Sequence, residues 1–112
     1  MIEFSADTLA DLPDLFTNEE TPFKNRLIQL HLFSFQADWF ICEYNPAWQN
    51  FYGMMVFRND FKNARWGYFT LPELEELSKV TEIHWNKNFI PRAVKDLKPL
   101  VVKFKGIQRI YC

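Results

Sequence analysis

FYGMMVFRNDFKNARWGYFTLPELEEL, residues 51–77, is the stretch whose reading decides the fold. Phe51 to Phe57 is apolar on both sides of an extended chain. Phe51, Gly53, Met55 and Phe57 point one way; Tyr52, Met54 and Val56 point the other. Strand side chains alternate with period two, so such a run suits a strand covered on both faces. Arg58-Asn59-Asp60 and Lys62-Asn63 bring turn formers and charge, which predicts a hairpin loop. Arg65 to Leu71 then resumes alternation, with Trp66, Tyr68 and Thr70 on one side and Arg65, Gly67, Phe69 and Leu71 on the other. Thr70-Leu71-Pro72-Glu73 has the form of a capping box, in which hydroxyl and carboxylate each accept a backbone N–H of the other residue. Pro72 falls in the first helical turn, where a missing N–H costs nothing. Leu71, Leu74 and Leu77 give the predicted helix one apolar stripe, and Glu73, Glu75 and Glu76 lie near its positive end.

Working outward, Arg26 to Phe35 predicts a strand, Gln36-Ala37-Asp38 a turn, and Trp39 to Tyr44 a strand pairing back. Asn45-Pro46 closes that strand. Four successive strands with short links predict an antiparallel meander. Ser5 to Leu12 reads as a short helix with Leu9, Leu12 and, beyond its end, Phe16 on its apolar side; Thr8, Asp11, Ser5 and Asp7 are its candidate caps. Pro13 disfavours helical geometry at Leu12, so the helix is expected to end there. Thr17 to Asn25, with Pro22, reads as a loop. Thr81 to Phe89 alternates weakly, and Pro91 to Leu97 has room for one helical turn. Leu100 to Tyr111 predicts a last strand, broken or bulged at Gly106. The expected fold class is α+β: a four- to five-stranded, mainly antiparallel sheet with the Ser5 and Leu71 helices packed on one face, in a single domain over residues 1–112.

Composition narrows the function classes. The chain is 48% hydrophobic, which argues against disorder, and its 18% aromatic content exceeds what a small core must hold. Some rings are therefore expected at the surface, where an aromatic cluster marks an interaction site. Cys42 and Cys112 form no CxxC, so a reduced, cytoplasmic protein is expected. Glu3 and Asp7 stand where a basic leader would begin, and no long apolar run follows; neither signal peptide nor membrane span is expected. The net charge of −1 hides an asymmetry: residues 1–20 hold six acids and no base, and residues 79–112 hold eight bases against Glu82 and Asp96. The two ends attract each other in the fold or are solvated, or else the basic tail faces an acidic partner.

No Ser-centred elbow, P-loop, dinucleotide fingerprint or HExxH occurs, and two scattered His with two scattered Cys predict neither metal site nor cofactor. Glu43, Asp38, His31, His84 and Tyr44 are the ionisable candidates for chemistry. Glu43 is expected to face solvent or bind a neighbouring Arg or Tyr; burial, raising its pKa towards general-acid use, is the alternative. His31 is expected to be a satisfied core or rim residue. His84 beside Trp85 reads as structural, or as a stacking pair for a base or peptide. The candidate binding residues are Tyr52, Trp66, Tyr68 and Trp85 as rings, with Arg58, Lys62 and Arg65 nearby, His84, and the basic residues Lys103, Lys105 and Arg109 of the C-terminal segment.

The chain resembles a small bacterial domain-of-unknown-function family carried on plasmids, integrative elements and phages. The resemblance rests on Leu12-Pro13-Asp14-Leu15-Phe16, on Asp38-Trp39-Phe40-Ile41-Cys42-Glu43-Tyr44-Asn45-Pro46, on Phe51-Tyr52-Gly53, and on Gly67-Tyr68-Phe69-Thr70-Leu71-Pro72-Glu73-Leu74. It covers about residues 8–97. The family's Glu-Arg-Asp triplet before Phe-x-Pro is missing in Ile83-His84-Trp85-Asn86-Lys87-Asn88, although Phe89-Ile90-Pro91 keeps the latter motif. Residues 98–112 lie beyond the usual family end. The resemblance implies no catalytic residues. It implies an accessory or inhibitory, anti-defence type protein whose partner is a host or element protein. The leading expectation is thus a non-enzymatic binding module that occupies a partner protein's surface. The alternative is a single-stranded nucleic-acid or nucleotide binder, and a hydrolase-like enzyme stands third.

Overall fold

The computed structural model describes residues 6–58, 60, 63–97, 100–104 and 107–111. In chain order the elements are α1 (Ala6–Ala10), β1 (Leu27–Ile28), β2 (Leu30–Phe33), β3 (Ala37–Asn45), β4 (Asn50–Phe57), β5 (Arg65–Thr70), α2 (Leu71–Leu77), β6 (His84–Trp85), β7 (Arg92–Ala93), β8 (Leu100–Phe104) and β9 (Ile107–Tyr111). Single 3-10 turns occupy Phe23–Asn25 and Val94–Asp96. The main sheet has the order β5-β4-β3-β2-β6 and every pairing in it is antiparallel. The fold class is α+β, with the expected meander at its centre.

The sheet is covered on both faces because its central strands are apolar on both. On one face Leu30, Leu32, Trp39, Ile41, Tyr44 and Phe51 pack with Leu74 and Ile83; Leu9, Leu12 and Leu71 lie against them. Both helices therefore serve the same face. On the other, Ile28, Phe40, Cys42, Met54 and Val56 are covered by Trp66, Phe89, Val94 and Leu97. Each fully buried side chain of this kind contributes about 1.5–3 kcal/mol. The junction of β5 and α2 is the predicted capping box: the Glu73 N–H donates to Thr70 Oγ1 at 3.2 Å, and the Thr70 N–H donates to Glu73 Oε1 at 3.0 Å.

A β-bulge interrupts β3. Ile41 pairs with Gly53, and the next pair is Glu43 with Tyr52, so Cys42 is the extra residue. The bulge resets the alternation, which puts Glu43 on the face of Tyr52 and Tyr44 on the face of Phe51. It also brings the β3 backbone onto Gly53, where an added Cβ would lie 2.3 Å from the Phe40 carbonyl oxygen.

Three expectations need correction. The first turn lies at Ser34 to Gln36, and Ala37 and Asp38 already belong to β3. The Ser34 hydroxyl accepts the N–H of Ala37 at 3.1 Å and so closes the chain earlier. Arg26 to Phe35 is not one strand: it breaks at Gln29 because Leu27 and Ile28 pair with Ala93 and Arg92 instead of joining the main sheet. The final segment is not one interrupted strand but the antiparallel pair β8 and β9, with Leu100 opposite Tyr111 and Phe104 opposite Ile107. Gly106, at which the break was expected, lies outside the described residues.

Candidate binding surface

Five rings and one arginine gather where the Thr17–Asn25 loop crosses the outer face of β4 and β5. Tyr52 and Tyr68 are cross-strand partners with ring centroids 4.9 Å apart, and Tyr52 stacks on Trp66 at 5.7 Å. They share a face because alternate residues of paired strands do. Phe23, on its 3-10 turn, lies 4.9 Å from Trp66, and Phe16 lies 6.4 Å from Tyr68. Phe16 is 60% exposed, Tyr68 54% and Phe23 49%, so these rings are presented to solvent instead of filling the core.

Arg26 sits beneath them at only 9% exposure. Its guanidinium lies 4.2 Å from the Phe23 centroid, 5.6 Å from Tyr52 and 5.7 Å from Trp66. Nε donates to the Thr21 carbonyl at 2.9 Å, and Nη1 donates to the Tyr52 hydroxyl at 3.2 Å. Cation–π contacts and these bonds hold the charge in a partly desolvated place. Beside it, a pocket of about 140 Å³ is lined by Phe16, Glu19, Arg26, Glu43, Tyr52 and Tyr68.

Glu43 departs from expectation. It does not face solvent: it is 3% exposed. Its Oε1 accepts the backbone N–H of Phe16 at 3.0 Å, and Oε2 accepts the N–H of Asn18 at 2.8 Å and the Asn18 side-chain amide at 2.9 Å. The bulge at Cys42 turns this carboxylate inward, and it fastens the loop that carries Phe16. Cys42, behind it, has its thiol pushed up to about 12, chiefly by burial and further by the Glu43 charge, with Arg26 opposing. Burial also raises Tyr44.

The structure brings together Tyr52, Trp66 and Tyr68 of the candidate residues and separates the rest from them. Arg65 alternates with Trp66 and points to the opposite face. Arg58 lies at the far end of β4, over Phe57 at 5.4 Å. His84 and Trp85 form β6 at the other edge, four strand spacings or roughly 19 Å from β5. There His84 Nε2 lies 3.4 Å from Glu82 Oε2, and Trp85 and Lys87 line a second pocket of about 350 Å³ with Asp11 and Gln29. Lys103 lies on β8 and Arg109 on β9; Lys62 and Lys105 lie outside the described residues. Phe16, expected on the apolar side of the first helix, is instead exposed against Tyr68. Arg26 and Phe23 were not singled out from the sequence, since nothing local announces that the loop before Arg26 folds over β4.

His31 and Asp38 are both fully buried, with Nε2 3.0 Å from Asp38 Oδ1. The Asn88 N–H donates to Asn86 Oδ1, which turns the Asn86 amide nitrogen towards His31 Nδ1 at 3.1 Å. Both ring nitrogens are thus committed inside the protein. Among the described residues no three His, Cys, Asp or Glu side chains gather as metal ligands, and no helix is long and apolar enough to cross a membrane. No family model, curated protein or solved structure matches the chain.

Proposed function

We propose that this chain is a non-enzymatic binding module that engages a partner protein through the surface formed by Phe16, Phe23, Trp66 and Tyr68. What supports the reading is the contiguity of the half-exposed Phe16, Phe23 and Tyr68 with the partly buried Trp66 over a buried arginine. Aromatic residues and Arg are the side chains that carry most binding energy at protein interfaces, and they do so from well-packed positions. The alternative, binding of single-stranded nucleic acid, needs a basic track beside the rings. Arg58 and Arg65 are directed elsewhere, and Glu19 and Glu43 border the surface instead. By its motif resemblance the proposal extends to an accessory or inhibitory protein of a phage or plasmid, acting in the cytoplasm on a host or element protein.

The test is site-specific photo-crosslinking in bacterial cells producing the chain, from position 68 and from position 80, where Val80 is 82% exposed in the turn that follows α2. The reading expects a discrete protein adduct from position 68 and none from position 80. Adducts to nucleic acid from position 68, or identical adducts from both positions, would overturn it.

A further inference from the structure

We propose that the pocket between Arg26 and Glu43 binds a pyrimidine-type ring, that is, a planar six-membered heterocycle carrying a carbonyl beside an N–H. This goes beyond the protein-docking reading and does not depend on it.

The argument starts from two buried charges that do not meet. A buried guanidinium is ordinarily matched to a carboxylate, because an uncompensated charge is costly away from water. Arg26 is 9% exposed, yet among the described residues no carboxylate lies within ion-pair reach of it. Of its five N–H donors, one is given to Thr21 and one to Tyr52. The Tyr52 hydroxyl, having accepted from Arg26, still has its own proton to donate. Glu43, which also lines the pocket, accepts a single N–H at Oε1, from Phe16, and so keeps acceptor capacity. The lining therefore offers both donors and an acceptor.

Charge, size and shape then select the ligand. An anion would meet Glu43 and Glu19, and a cation would meet Arg26, so a neutral group with an acceptor on one side and a donor on the other suits both. The volume of about 140 Å³ is close to that of a cavity which holds benzene, about 150 Å³, so the pocket has room for one six-membered ring. Phe16, Tyr52 and Tyr68 supply π-faces on which a planar ring stacks. A ring carbonyl accepts from Arg26 and Tyr52, and the adjacent N–H donates to Glu43. Without a basic track beside the rings, such a ring is expected as a free nucleobase or nucleoside.

The test is titration of the ¹⁵N-labelled chain with uridine, thymidine and N3-methyluridine, followed by amide chemical shifts. The expected result is saturable shifts at Phe16, Asn18 and Tyr68 with uridine and with thymidine. Binding of N3-methyluridine, which lacks the ring N–H, is expected to be weaker by about tenfold or more, and Tyr68→Ala is expected to weaken uridine by about tenfold. Tyr68 is half exposed, so that variant keeps the fold, and its unchanged spectrum elsewhere verifies this. A short oligouridylate is expected to bind no tighter than uridine; tighter binding that falls with salt would overturn the assignment to a free ring. Absence of saturable shifts with both nucleosides at millimolar concentration, or equal binding of N3-methyluridine, overturns the proposal. Neither result bears on the protein adduct from position 68, so the two readings fail separately.

Discussion

Glu43 Oε1 accepts the backbone N–H of Phe16 at 3.0 Å, and Phe16 there adopts a left-handed φ of 69°. A bulky residue in that region costs about 1–3 kcal/mol and persists only where its surroundings hold it. The buried carboxylate does so, and the result is a ring displayed against Tyr68. Strain at this position is thus tied to the surface the protein presents.

Phe16→Gly separates the two. Glycine accepts positive φ without penalty, so stability in urea denaturation is expected to be unchanged or higher by about 1 kcal/mol. Partner binding is expected to fall, because the ring is gone. A fall in both would show that the ring serves packing.

Glu43→Ala removes the acceptor of three N–H bonds at once. Stranded donors cost about 1–3 kcal/mol each when they cannot reach water. Part of this loop can, so the expected loss is roughly 2–4 kcal/mol by chemical denaturation. Increased amide exchange is expected at Phe16 and Asn18.

The two sheet glycines make a contrast. A Cβ at Gly53 meets the Phe40 carbonyl at 2.3 Å, whereas nothing lies within 4 Å of one at Gly67. Gly53→Ala is expected to destabilise by about 3 kcal/mol or to prevent folding, since backbone cannot be displaced cheaply. Gly67→Ala is expected to stay within about 0.5 kcal/mol of the wild type. Thermal melts of both variants check this.

Cys42 gives a pH dependence. Its thiol ordinarily titrates near 9.0 and is pushed up to about 12 in the fold. Below pH 9 both states hold the proton, and the contribution to stability is fully present. Between 9 and 12 the unfolded chain gives up a proton that the folded chain keeps, so stability falls as pH rises, at up to about 1.4 kcal/mol per pH unit. Tyr44, raised by burial, acts in the same direction. Comparing wild type with Cys42→Ala isolates the thiol: the variant's stability should decline less over this range. The folded thiol should also resist disulfide reagents at pH 8 and react once the chain is unfolded.

Most of the architecture was legible because it is local. Alternation in Phe51–Phe57 and Arg65–Leu71 placed the strands and their faces, and Thr70 with Glu73 placed the helix start. The bulge was not legible, since Trp39 to Cys42 is apolar on both sides and an extra residue leaves no trace in such a run. Its consequence, the inward turn of Glu43, was therefore misread. The pair β8 and β9 was read as one strand because the alternation resumes after Gly106. The candidate surface was half legible: Tyr52, Trp66 and Tyr68 follow from the strand period, whereas Arg26 and Phe16 depend on how the loop closes over β4.

Affinity of the purified chain for the protein crosslinked at position 68 is the most direct measurement of the central claim, compared among wild type, Tyr68→Ala and Arg58→Ala. The account predicts a loss of about thirtyfold for Tyr68→Ala, the size of an interface hot spot near 2 kcal/mol, and no significant change for Arg58→Ala. Unchanged binding by Tyr68→Ala, or a larger loss with Arg58→Ala, would contradict it.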